Sequence, residues 1–456
     1  MSFLAADRYA ALLAPRIREE PLLQVPPRLS ELELQAHWFA GDFGRDFRST
    51  RGEQIRIVQF GVWNREAGPD FADAAISING AEPIRGPIEF DMDARDWERH
   101  GHGSNADYEP VILHVFTETG KTDFFTRTMG HRNIPQVLLD PTTLSGVDVP
   151  NPLPEAKLGR CSGPLSQMDG DRVREVLLAA AQHRFRRKAG TLARLREAHG
   201  ADEGLYQALA ATLGYKSNKL PFTLLAQRLP LKLLTKSKDE VEALLFGISG
   251  FLPDKDLGAF DSPTRDYLRG LWEKWWKRRT EFGRLKVASD LWKMSGQRPA
   301  NHPQRRLAAL AQIVRNWPQV RSLCGKAEVP EIRRFFARLS DPYWDFHYTI
   351  SSKSSAQKMA LVGESRVVEM LMNVFLPAAA LEDETGWKEY QKLSAPLTNR
   401  RVETAATRLF GASDRHGELM KSAAIQQGLL QIYEDFCLQD ASDCARCRFP
   451  RQLSHW

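Results

Sequence analysis

The sequence predicts an α+β (mixed α/β) protein in which a small N-terminal domain of strands and helices precedes a large all-α domain. Three observations carry this. Short β-rich runs separated by turn residues fill the stretch from Ile55 to Arg127. From Asp171 onward, apolar residues recur at spacings of three and four. Between these regimes, Pro141 to Pro164 is rich in Pro, Gly and Leu without a steady period. A chain of 456 residues exceeds one ordinary core. The boundaries therefore read as a mixed α/β domain over 1–140, a linker over 141–164, and a helical domain over 165–456 that ends in a cysteine cluster.

Taken in order, Ser30 with Glu33 three residues on forms a capping box and starts a helix from Glu31 to Phe39. Strands follow at Ile55 to Phe60, Ala74 to Asn79, Pro87 to Met92, Val111 to Thr117 and Asp123 to Arg127, with turns at Asn79-Gly80 and Gly86-Pro87. Asp93 to His100 forms a short helix between the third and fourth strands. The order is helix, three strands, helix, strand, with extra strands after it. Periodic segments at 171–199, 204–213, 239–246, 265–279, 305–316, 330–339, 364–375, 399–410 and 421–436 make up the helical domain.

Composition narrows the class. Hydrophobic residues at 42% and charged residues at 26% belong to a folded protein rather than a disordered one. The net charge of +6 is a mild excess over this length, so only local clustering of cations bears on partners. Met1 to Arg8 carries no apolar stretch of a secretory signal, and no run of about eighteen apolar residues marks a membrane span. Five cysteines in such a chain fit a reducing, cytoplasmic setting better than a disulfide framework.

The densest run of chemically capable residues comprises Trp63-Asn-Arg-Glu-Ala-Gly-Pro-Asp-Phe71, Gly86-Pro-Ile-Glu-Phe-Asp91 and Asp96-Trp-Glu-Arg-His-Gly-His102. Residues two apart on a strand share a face, so Glu89 and Asp91 project together, and Asp70 precedes a neighbouring strand. Three converging carboxylates make a hard oxygen site suited to Mg²⁺ or Mn²⁺, the ions that serve phosphodiester hydrolysis. Pro69-Asp70 and Glu89-Phe90-Asp91 resemble the PD-(D/E)xK nuclease pattern, and the element order resembles that restriction-endonuclease-like αβββαβ core. The resemblance implies Asp70, Glu89 and Asp91 as ion ligands, Glu33 as a further acidic ligand, and DNA or RNA as substrate. It departs at Asp91, where the pattern has lysine; His100 or His102 then serves as base or phosphate contact. The alternative leaves Asp70 as a turn or cap residue and Glu89 and Asp91 on the wet face of an edge strand, in a catalytically inactive nucleic-acid- or protein-binding scaffold. His114, on a strongly apolar strand, fits a hydrogen-bonded core residue better than a ligand.

Cys437 precedes the pair Cys444-Ala-Arg-Cys447, whose spacing suits a tetrahedral metal site, and Cys161 at the linker is the fourth candidate ligand. One distant cysteine with three near the C-terminus resembles the iron–sulfur staple of some PD-(D/E)xK nucleases; zinc satisfies the same ligands. Reduced thiols in a terminal segment are the alternative. His183-Arg-Phe-Arg-Arg-Lys188 gathers Arg184, Arg186, Arg187 and Lys188 as candidate nucleic-acid contacts, and Trp272-Glu-Lys-Trp-Trp-Lys-Arg-Arg279 mixes cations with aromatics. Solvated helix faces and core tryptophans account for the same patterns.

Taken together, Leu32-Glu-Leu-Gln-Ala-His-Trp-Phe39, the three runs above, Val111-Ile-Leu-His-Val115, Leu213-Gly-Tyr-Lys-Ser-Asn-Lys219, Leu245-Phe-Gly-Ile-Ser-Gly-Phe-Leu252 and Gln297-Arg-Pro-Ala-Asn301 resemble the uncharacterised bacterial family called domain of unknown function 2851. With the terminal cysteines, the resemblance covers nearly the whole chain. That family's strand reads Glu-Ile-His, so Asp91 departs from it also.

Overall fold

A computed structural model describes residues 4–13, 29–64, 68–120, 124–144, 163–166, 168–252, 257–295, 298–394, 400–411, 417, 419–437, 447–454 and 456. The N-terminal part contains α1 (Leu4–Leu13), α2 (Glu31–Phe39), β1 (Asp46–Arg48), β2 (Gln54–Gln59), β3 (Val62–Trp63), β4 (Phe71–Ile78), β5 (Ile84–Asp93), α3 (Asp96–Arg99), β6 (Leu113–Glu118) and β7 (Gln136–Leu138). The strands form one sheet in the order β1-β2-β4-β5-β6-β7, with β3 paired to β4. Pairing is antiparallel as far as β5 and parallel from β5 to β6 and β6 to β7.

The predicted order is realised by α2, β2, β4, β5, α3 and β6. Ser30 Oγ accepts from the Glu33 amide while the Glu33 carboxylate accepts from the Ser30 amide at 2.9 Å, which starts α2. In β2, Ile55 and Ile57 are buried while Arg56 and Val58 are exposed. Along β5 the run Ile88 to Asp91 is buried on both faces, as expected of a strand with a parallel neighbour. Ile88 and Phe90 enter the main apolar cluster with Leu113, Val115 and Val137, which sets Glu89 and Asp91 on the opposite face. A small cluster of Trp97, Tyr108, Val111 and Ile134 lies apart from that core.

No strand forms over the described part of 123–127; a single bridge joins Arg127 to Asn133, and β7 takes the place beside β6. The backbone there makes a tight turn instead, with Thr128 N donating to Arg132 O at 3.0 Å. β1, β3 and β7 have two or three residues each, too few for a period of two to register.

The helical part opens with α4 (Gly170–His199), capped by Asp169, and α5 (Ala201–Arg228), which kinks at Tyr215 and Asn218. The main apolar cluster runs without a break from Trp38, Ile57 and Phe90 through Phe185 and Phe222 to Leu244 and Phe375. A second cluster joins Tyr9 and Leu12 of α1 to Leu177, Leu429 and Phe449. Among the described residues no helix is long and apolar enough to cross a membrane.

His199 closes α4 against the sheet side. Its ring stacks on Phe39 at 4.5 Å and its Nε2 donates to the Phe39 carbonyl at 2.5 Å. Burial pushes its pKa down to about 4, partly opposed by that carbonyl. An unfolded histidine titrates near 6.5, so between these values the unfolded chain holds a proton that the native state refuses. Stability from this group is full above about pH 6.5 and falls as pH drops through about 4, by on the order of 3 kcal/mol. Urea unfolding at about pH 7.5 and 4.5 is expected to show a smaller acid loss for His199→Gln than for wild type. Identical losses would exclude His199 as the titrating group.

Candidate metal centre

The site lies on the β5 face away from the main core. Glu89 and Asp91 are 5% and 2% exposed. Asp70 stands just before β4, whose Phe71 pairs with Ile88. Asp70 Oδ2 accepts from the Phe90 amide at 3.1 Å and from Gln35 Nε2 at 3.0 Å, and the Asp70 amide donates to Glu89 Oε2 at 3.0 Å. Gln35 Nε2 also donates to Glu31 Oε1 at 3.2 Å, so α2 brings a fourth carboxylate to the group.

Asp91 is ringed by imidazoles. Its Oδ1 is 3.3 Å from His100 Nδ1, and its Oδ2 is 3.1 Å from His114 Nε2 and 3.9 Å from His102 Nδ1. Gly101, at φ +76, makes the left-handed turn that brings His100 and His102 to one carboxylate. His102 stacks on Tyr108 at 4.0 Å and meets Trp97 edge-on at 5.4 Å. Its Nδ1 is buried, 3.3 Å from Glu89 Oε1, yet has no partner in hydrogen-bond geometry.

The His114 tautomer follows from the carboxylate it faces, and a chain of bonds stands behind it. Thr50 Oγ1 donates to Gln136 Oε1 at 3.2 Å, Gln136 Nε2 donates to Thr126 Oγ1 at 2.8 Å, and Thr126 Oγ1 lies 2.6 Å from His114 Nδ1. The Asp91 carboxylate can only accept, so the proton sits on Nε2 facing Asp91 Oδ2, and the bare Nδ1 accepts from the Thr126 hydroxyl, which itself accepts from Gln136. The reverse tautomer would set a bare nitrogen against a carboxylate.

Burial is the main cause that pushes the Glu89 carboxyl up, followed by the charges of Asp70 and Asp91. Asp70 is raised chiefly by burial, opposed by the Phe90 amide and reinforced by Glu31 and Asp91. Burial and then Asp91 raise Glu31. His102 is lowered by burial, which favours the neutral imidazole that binds metals. Crowded carboxylates of this kind hold either protons or a cation. Asp91, His100 and His102 offer three ligand atoms within 4.8 Å of one another, and the orphaned His102 Nδ1 fits a cation between them. Imidazole with carboxylate suits Mn²⁺ or a later transition ion better than Mg²⁺.

A family model for proteins of unknown function, DUF2851, matches residues 31–400. The chain belongs to the DUF2851 family. No curated protein and no solved structure matches it. The DUF2851 match spans every residue of the cluster and stops short of the terminal cysteines.

Of the residues singled out in this DUF2851 chain, Asp70, Glu89, Asp91, His100 and His102 come together. Glu33 does not join them through its capping carboxylate; Glu31, on the same first turn, does. Glu31 and Gln35 are four apart on α2, a spacing that places both on one face. Arg228, at the end of α5, donates to the Lys286 carbonyl at 3.0 Å and feels the charge of Asp70. Three of the four cations of α4 turn toward the C-terminal helices, as Arg184 bonds Gln427, Gln431 and Glu434, Arg187 bonds Gln431 and Lys188 bonds Gln427, while Arg186 stays exposed and pairs with Asp7. Cys437 and Cys447 are half-buried beside the second apolar cluster, while Cys161 and Cys444 lie outside the described residues.

Proposed function

We propose that this protein is a metal-dependent phosphodiesterase of nuclease type acting on nucleic acid, with Asp91, His100 and His102 holding the ion. The observation that carries the reading is Asp91, buried and encircled by histidines, one of which leaves an unpaired nitrogen between Glu89 and Asp91. The order α2, β2, β4, β5, α3, β6 and the meeting of Asp70 with Glu89 support a likeness to the PD-(D/E)xK core.

An ion here would polarise a phosphoryl oxygen and lower the pKa of a bound water. Glu89, whose proton affinity burial and its neighbours raise, is the base within reach. His114 positions Asp91 from behind. Arg228 supplies a cation near Asp70, a role that the missing lysine leaves open. A second reading, a catalytically silent scaffold, is favoured by Asp91 itself, an acid where the nuclease pattern has lysine.

Cleavage of single- and double-stranded DNA and RNA with Mn²⁺, Mg²⁺ or chelator separates the two. Metal-dependent cleavage by wild type, lost in Asp70→Ala and Glu89→Ala, is expected. Equal cleavage by all three proteins would betray a contaminant, and metal binding without cleavage would leave the scaffold. For the thiols, the proposal is a zinc or iron–sulfur centre on Cys161, Cys437, Cys444 and Cys447. Anaerobically purified protein free of both metals would refute it.

A further inference from the structure

Away from the carboxylates, two arginines are buried together, and among the described residues no carboxylate pairs with one of them, Arg306. Arg306 and Arg366 are each 4% exposed. Both reach Asn301 Oδ1, Arg306 through Nη2 at 2.5 Å and Arg366 through Nη2 at 3.2 Å, so the two guanidinium groups lie side by side on one neutral oxygen. Arg366 also pairs with Glu369. Arg306 Nη1 and Arg366 Nε are buried with no acceptor. Among the described residues, the charges that bear on Arg306 are those of Arg366 and Arg305, both of its own sign.

Arg305 adds a third guanidinium, whose own donors go to the neutral carbonyls of Trp344, His347, Met359 and Ala360. The helix Pro303–Arg315 begins at the same place, and its N-cap residue His302 makes no side-chain cap. A helix start carries partial positive charge, so cations in its first turn add to it rather than offset it. Tyr215 lies over Arg366, with the guanidinium 4.3 Å from its ring centroid. It holds φ +54 and ψ −158, a conformation that costs energy for any residue but glycine, and the residue is 39% exposed to solvent.

We propose that Arg306, Arg366 and Asn301 form an oxyanion site for a phosphate group, entered past Tyr215. A phosphate group answers the Arg306 charge that Glu369 leaves uncompensated, and guanidinium forks suit its oxygens. The orphaned nitrogens of both arginines are the donors it satisfies. This site is independent of the carboxylate cluster and does not rest on the nuclease reading.

Calorimetric titration with inorganic phosphate, in phosphate-free buffer matched with chloride for ionic strength, tests it. Saturable binding by wild type is expected, weakened about 30-fold or more in Arg306→Leu. A melting temperature higher by about 2 °C near saturation is expected for wild type alone. Asn301→Asp, which places a carboxylate between the two guanidinium groups, is expected to raise the phosphate-free melting temperature and abolish the phosphate response. A nucleoside 5′-monophosphate that binds where its nucleoside does not would mark a phosphorylated molecule as the source, and inorganic phosphate binding alone would mark the free ion. Absence of saturable phosphate binding by wild type, unchanged binding by folded Arg306→Leu, or equal binding of acetate would overturn the proposal.

Discussion

Asp91→Ala is expected to remove Mn²⁺ binding and to lower Mn²⁺-dependent cleavage by about 10²–10³-fold, with the fold retained. Asp91 is the acid that all three imidazoles address, so its loss dismantles the ligand set at the centre. The fold survives because a buried carboxylate among Glu31, Asp70 and Glu89 repels each of them. Against that gain, His114 Nε2 loses its acceptor, at about 1–3 kcal/mol.

The effect of pH has a definite sign. Asp70 and Glu89 are raised, so the native state keeps protons that the unfolded chain releases. Their contribution to stability is full below the ordinary carboxylate range and is lost as pH rises through their native values. A cation bound to the deprotonated cluster would return that stability. The rise in melting temperature on adding Mn²⁺ is therefore expected to grow from about pH 6 to 8 in wild type and to be absent in Asp91→Ala. A metal-induced shift of equal size in both proteins would place the ion elsewhere.

What was legible in the sequence was local. The capping box at Ser30 and Glu33 starts α2 through bonds that span three residues. The period of two sets Glu89 and Asp91 on one face of β5 whatever lies beside it. That same capping box also held an unused lesson, since a glutamate that caps its helix is not free to bind an ion, which left Glu31 for the site. Long-range partners were hidden. His114 fits a core histidine by its neighbours, and nothing in the chain says that Thr126 and Gln136 stand behind it. Nothing in the run from Arg184 to Lys188 says that the helix Ala423–Ile432 supplies Gln427 and Gln431, four residues apart, as acceptors for Arg184, Arg187 and Lys188. Arg306 and Arg366 meet across sixty positions of sequence with no pattern joining them.

Arg305→Met is expected to cost about 3–5 kcal/mol, the loss seen when a buried charged group with several bonds is removed. Residues 340–363 form neither helix nor strand, so their carbonyls lack regular partners. Arg305, 1% exposed, replaces them: Nη1 donates to the Trp344 and His347 carbonyls, the latter at 2.6 Å, and Nη2 to Met359 at 3.3 Å and Ala360 at 2.9 Å. Methionine fills much of the volume but leaves these carbonyls buried and unpaired. Arg305→Lys is expected to recover only part of the loss, because one ammonium cannot span acceptors set around a planar fork. Its neighbour is the control. Arg306→Leu removes a charge that no described acid balances, so in phosphate-free buffer it is expected to unfold in urea at or above the wild-type midpoint. Equal losses for the two variants would mean that both arginines are structural, and the division of roles between adjacent residues would fail.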